Sequence, residues 1–156
     1  MSKRKDMHVW LGVGLLLAII LLTTAFFIST LQRTTTLRLG DGVFRVRIAS
    51  FDAEQRKGLG GVTKLGQEEG MLFMYENEGD YKIWMKDMKI PIDAVWLNSD
   101  RKVMHIETGL QPDSYPKQYG PASRSQYILE LSEGAVQRAR IKTGQQMVYE
   151  DHRMSW

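Results

Sequence analysis

Twenty consecutive residues without a charge, VWLGVGLLLAIILLTTAFFI at positions 9–28, constrain this chain more than any other feature. About twenty apolar residues, at roughly 1.5 Å of rise each, match a hydrocarbon core ~30 Å thick. A helix that is apolar on every side has no polar face to offer water. Trp10 stands at the entry of the run, where an indole favours an interface. Lys3, Arg4 and Lys5 precede it, whereas only Arg33 lies close on the far side. The positive-inside rule then puts the N-terminus in the cytoplasm and the remainder outside. A cleaved signal peptide needs a shorter apolar core and a small-x-small site. The best such site, Thr23-x-Ala25, is followed at once by two phenylalanines. The expected organisation is a cytoplasmic stretch at 1–8, a single transmembrane anchor at 9–28 and a spacer at 29–36. A globular domain at 37–150 and a tail at 151–156 follow. The expected location is the cell membrane, single-pass, with the domain extracytoplasmic.

The chain has 156 residues, so the part beyond the anchor has the size of one domain. Of 21 basic and 18 acidic residues, three and one lie ahead of the run, which leaves 18 and 17, a net of +1. That balance, without a basic cluster, argues against a nucleic-acid partner. With no cysteine, disulfides, thiolate catalysis and Cys-ligated metal sites are excluded, as is a lipidated cysteine anchor.

Strand signals dominate the remainder. Residues 35–39, then Gly40-Asp41-Gly42, then 43–48 with Phe44, Val46 and Ile48 alternating against Arg45 and Arg47, predict a β-hairpin. Ser50 is placed to cap a short helix over 52–57, which Gly58 ends. Residues 70–75 form a continuous apolar run typical of a central strand, and the acidic stretch 76–80 predicts a turn before a strand at 81–86. Pro91 opens a strand at 92–97, and 102–108 returns after a turn. Residues 109–122, with three of the four prolines, predict a long loop. A strand at 126–131, a short helix from Ser132 to Arg140 and a last strand at 146–150 complete the chain. This pattern lacks the strand–helix–strand rhythm of a parallel sheet. It predicts an α+β fold: one transmembrane helix, then a compact, mostly antiparallel, curved or barrel-like sheet with two short helices.

Catalytic signatures such as G-x-S-x-G, H-E-x-x-H and the Walker loop do not occur. The three histidines are His8, His105 and His152, so the domain cannot supply a three-histidine metal site. No metal and no cofactor are expected. His105 and Glu107 share a strand face, as do ordinary structural pairs. The densest segment is YKIWMKDMKIPIDAVW at 81–96. Alternation puts Tyr81, Ile83 and Met85 on one face and Trp84, between Lys82 and Lys86, on the other. An indole flanked by two ammonium groups suits a stacking platform with anion-reading neighbours, and also suits a packed Trp with snorkelling lysines. Asp93 lies in an otherwise apolar strand, where a carboxylate must be hydrogen-bonded, ion-paired or raised in pKa.

Gly58-Leu59, Leu65, Gly70-Met71-Leu72-Phe73, Trp84-Met85-Lys86 and Ile90-Pro91-Ile92-Asp93 follow the pattern GLM-x-R … L … GMLF … FWMKNT-x-IPLD. Leu129-Glu130-Leu131-x-x-Gly134 with Gly144 continues it as LEL-x-x-G … G. The chain thus resembles the family called domain of unknown function 192 (DUF192), over about 43–150. The resemblance implies fold and an often secreted or membrane-anchored, prokaryotic, uncharacterised setting, and carries no reaction. Gly60, Val62 and Asp87-Met88 stand where Met, Arg and Asn-Thr are usual. Should that Arg or Asn-Thr pair serve the family, it is altered in this chain.

The expected function is an anchored domain that binds an envelope-associated ligand or protein partner, rather than an enzyme. The binding candidates are Trp84, Lys82, Lys86, Asp93, Tyr115 and Tyr119. One alternative is a hydrolase or transferase on an envelope polymer, with Asp93, His105 or Glu130 as acid or base. Another is a structural subunit of a membrane complex.

Overall fold

The computed structural model describes residues 14–23 and 33–150. Helix α1 covers residues 14–23. Among the described residues no helix is long and apolar enough to cross a membrane. The expected transmembrane helix is therefore corrected. Positions 9–13 and 24–28 of the apolar run, the stretch 1–8, residues 29–32 of the spacer and the tail 151–156 lie outside the described residues. From Arg33 onward the chain forms its own compact unit.

That unit is α+β. Strands β1 (Thr34–Leu39) and β2 (Gly42–Ala49) make the expected hairpin, with Gly40 at φ 60 in the turn. Helix α2 (Asp52–Lys57) follows. Its first turn is held by Glu54, whose carboxylate accepts from the Ser50 and Phe51 N–H groups, and Ser50 is not the cap. Strand β3 (Glu69–Gly79) lies parallel to β2. It runs on through the acidic residues 76–79 instead of turning there, because Gln126 donates to the carbonyls of Tyr75 and Glu76 and pairing resumes at Gly79. The expected strand at 81–86 shrinks to β4 (Ile83–Trp84). Next come β5 (Ile92–Leu97) and β6 (Val103–Leu110), then β7 (Gln118–Tyr119), which pairs with β4 inside the predicted long loop. Strand β8 (Ser125–Ser132), helix α3 (Ala135–Arg138) and β9 (Val148–Tyr149) end the domain.

The main sheet has the order β6-β5-β8-β3-β2-β1-β9, antiparallel except for β2–β3. Its two ends are joined. Val103 and Met147 donate to the carbonyls of Gln145 and Arg101, and Gly144 donates back to Val103. The segment entering β9 thereby ties β6 to the far side, and the sheet closes on itself. Leu37, Leu39, Phe44, Val46, Leu72, Val95, Leu97, Leu129 and Leu131 fill the inner face, with α3 packed among them. The outer face is also buried. Met71, Phe73, Ala94, Trp96 and Ile128 lie under a second layer made by Leu59, Ile83, Met85, Met88 and Tyr119. That second layer positions the candidate site.

Candidate functional site

Alternation along β8 puts Ile128 and Glu130 on the outer face, opposite Leu129 and Leu131. Register places Glu130 beside Met71 of β3 and Ala94 of β5, and Met71 beside Arg47 of β2. The Glu130 carboxyl group thus occupies an apolar row and is only 5% exposed. Its Oε2 has no hydrogen-bond partner. Burial pushes its pKa up to about 8, while Arg47 and the Leu59 backbone N–H draw it partly back. An ionised carboxylate there would lack the partners that buried charge requires.

The backbone reaches this group through Gly58, which closes α2 at φ 51, ψ −136. A Cβ at that position would lie 3.3 Å from Phe73 Cζ and 3.7 Å from Glu130 Oε2. Glycine lets the chain pass over the acid at a distance a side chain would crowd. The turn that follows is tied to the β4 side, where the Gly61 N–H donates to the Asp87 carbonyl at 2.9 Å.

Between these layers opens a cleft of about 320 Å³. Leu59, Phe73, Ile83 and Met88 supply its apolar wall, and Glu130 and Tyr75 its polar depth. Tyr75 stacks on Tyr81 with ring centroids 3.5 Å apart. Burial, then the neighbouring Glu130 and Tyr81, push its pKa up to about 12, so the phenol keeps its proton. Arg56, Lys57, Lys82, Lys86 and Trp84 also line the cleft. Arg56 pairs with Asp52 at 3.6 Å, and Lys82 pairs with Asp80 at 2.8 Å and donates to the Pro121 carbonyl. Lys57 and Lys86 have no ion-pair partner among the described residues. Trp84 is 45% exposed.

Of the six residues singled out in the sequence, Trp84, Lys82 and Lys86 line this cleft. Asp93, Tyr115 and Tyr119 do not. Asp93 is buried with both oxygens occupied: Gly109 N–H donates to Oδ1 and Val136 N–H to Oδ2, each at 3.0 Å. It caps the first turn of α3 from β5, the role expected of Ser132. Tyr119 is buried under Lys117, and Tyr115 is exposed. His105 meets Glu107 at 3.0 Å on half-exposed β6. Among the proposed acids and bases, Glu130 alone belongs to the cleft. A two-carboxylate reaction would need a second acid beside it, and the other cleft carboxylate, Asp52, is exposed at α2. Among the described residues no group of His, Asp and Glu is placed to hold a metal ion.

Sequence reasoning missed Tyr75, Lys57, Gly58 and Phe73 as cleft residues. The signal for Glu130 was present, since it shares strand parity with Ile128.

A model of the family DUF192, uncharacterized ACR, matches residues 35–149. The chain belongs to the DUF192 family. The match spans the closed sheet and every residue of the cleft. Two solved structures are similar. A Novosphingobium aromaticivorans DSM 12444 protein of unknown function is 32% identical with a TM-score of 0.68, covering 75% of this chain and 84% of that one. A Sinorhizobium meliloti 1021 protein, provisionally described as a transcription regulator, is 23% identical with a TM-score of 0.73, covering 76% and 95%. At that identity the likeness carries the fold alone. No curated protein matches the chain.

Proposed function

We propose that this DUF192 domain is a binding module that takes a small, ring-bearing organic anion into the Glu130 cleft. The observation that carries the reading is the unpartnered Glu130 Oε2 in a cleft that Lys57, Lys86 and the half-exposed Trp84 also line. Small-ligand sites are concave and mostly apolar with a few convergent polar groups, at volumes from roughly 300 Å³ upward. Trp84 offers a face for stacking, and two unpaired ammonium groups favour a ligand carrying negative charge.

Calorimetric titration of the full chain with 4-isopropylbenzoate tests this. Binding is expected, weakened ~3–10-fold by Trp84→Ala through the lost aromatic contact. The double variant Lys57→Ala/Lys86→Ala is expected to weaken it further and to flatten its salt dependence. Absence of binding at millimolar concentrations overturns the proposal, as does binding indifferent to all three substitutions.

A further inference from the structure

We infer that the depth of the cleft is a carbonyl-binding subsite, in which Glu130 enters as a neutral acid and donates a hydrogen bond from its carboxyl group to an uncharged oxygen of the ligand. The inference rests on the cleft reading above and names the ligand's second recognition element: a carbonyl or amide oxygen set across the ring from the anionic group.

The geometry leaves few alternatives for this oxygen. Glu130 Oε2 faces Phe73 and the Gly58 backbone and receives no donor from the protein. A carboxylate would ask the site for several donors, whereas a carboxylic acid needs one acceptor. Asp52, Gln55, Tyr75 and Gln118 also line the cleft, but none of them bonds to Oε2, so the acceptor is left for the ligand to bring. A buried polar group left unmatched discriminates strongly between ligands that match it and isosteres that do not. The charged and titratable groups facing Glu130 come from each packed element. Arg47 lies on β2 and Tyr75 on β3, and Asp52, Arg56 and Lys57 lie on α2. Lys82 and Lys86 flank β4 across the cleft. Arg47 is the one cation among them that lowers the pKa of Glu130, and the carboxyl group still titrates near 8. At neutral pH the acid therefore keeps its proton.

The two probes are 4-acetylbenzoate and 4-isopropylbenzoate, the second carrying a methyl group in place of the carbonyl oxygen. The full chain at pH 7 is expected to prefer 4-acetylbenzoate on the order of tenfold, the value of one matched hydrogen bond. The ratio of the two affinities cancels whatever happens at the cationic groups. As pH rises through 8, Glu130 ionises and turns from donor to acceptor. The preference should then fall, losing most of its tenfold between pH 7 and 9, and be level below pH 7. Glu130→Gln retains a donor, so the preference should persist and lose its pH dependence. Glu130→Leu should abolish it, with a melting curve confirming that the variant folds.

The outcomes separate the two proposals. If neither probe binds, the cleft reading itself fails. If both bind equally in a Trp84-dependent way, the cleft stands and the carbonyl subsite is overturned. A preference that survives Glu130→Leu, or that is unchanged between pH 7 and 9, also overturns it.

Discussion

Trp84 and Trp96 sit twelve positions apart, on β4 and β5, and their environments are opposite. Trp96 is 0% exposed, packed against Ile92, Ala94 and Ile128, and its Nε1 donates to the Tyr81 carbonyl at 3.0 Å. That bond fixes the chain entering β4, so Trp96 positions the cleft without lining it. Removing its ring should cost about 3–5 kcal/mol. Trp84 on the opposite parity is 45% exposed, and its loss should cost about 1 kcal/mol or less. Thermal melts of Trp84→Ala and Trp96→Ala decide this without any ligand. Equal destabilisation would mean that Trp84 is a core residue, and the stacking surface would be lost as an idea. Both assignments were legible in the sequence, because period-two alternation needs only the strand and one buried neighbour. Glu130 was harder. The LEL motif presents Leu129 and Leu131 as the inward face, so Glu130 reads as the solvent side of a half-buried strand. What buries it is a second layer contributed by α2, Gly58 and β4, remote in sequence.

At the scale of elements, the hairpin, β5 and β8 follow their sequence signals almost residue for residue. Each is bounded by Gly, Pro, Asn or Asp turn chemistry that acts locally. Helix α3 departs from expectation for a non-local reason. Gly134 precedes it in a left-handed conformation, and the donors of its first turn are met by Asp93 from β5, not by a neighbouring Ser. The single carboxylate joins β5, the end of β6 and α3 through two backbone N–H groups. This explains an acid in an apolar strand without assigning it to the site. Asp93→Ala leaves a buried donor at Val136 and a half-buried one at Gly109 unpaired and should cost roughly 2–5 kcal/mol. Glu107→Gln on the half-exposed β6 should stay within about 0.5 kcal/mol of wild type. A chemical denaturation series on both variants measures the difference. An Asp93→Ala protein as stable as Glu107→Gln would remove Asp93 from the structural account.

For the molecule as a whole, the decisive feature is closure of the sheet, which no local pattern announces. A curved antiparallel sheet is implied by many short strands and tight turns, but whether its edges meet depends on a few backbone bonds between 101–103 and 144–147. Val103 at 2% exposure and Met147 at 0% are the apolar anchors of the two segments. An open β6 would present unpaired N–H and C=O groups, the usual template for edge-to-edge association. The apolar run at the start of the chain gives the opposite lesson. It is the loudest signal in the sequence, while among the described residues the inner and outer cores of the domain are built from residues 37–147. Two deletions test this division. A fragment of residues 33–156 should be soluble and melt in one cooperative transition, because both cores and the closing bonds lie within it. A fragment of residues 33–143 keeps eight of the nine strands but loses the closing segment and β9. It should aggregate, or melt broadly and at much lower temperature. A sharp transition at the same temperature in both fragments would show that closure contributes little and that the sheet is stable open. Failure of the longer fragment to fold would instead mean that residues 1–32 supply contacts the domain needs.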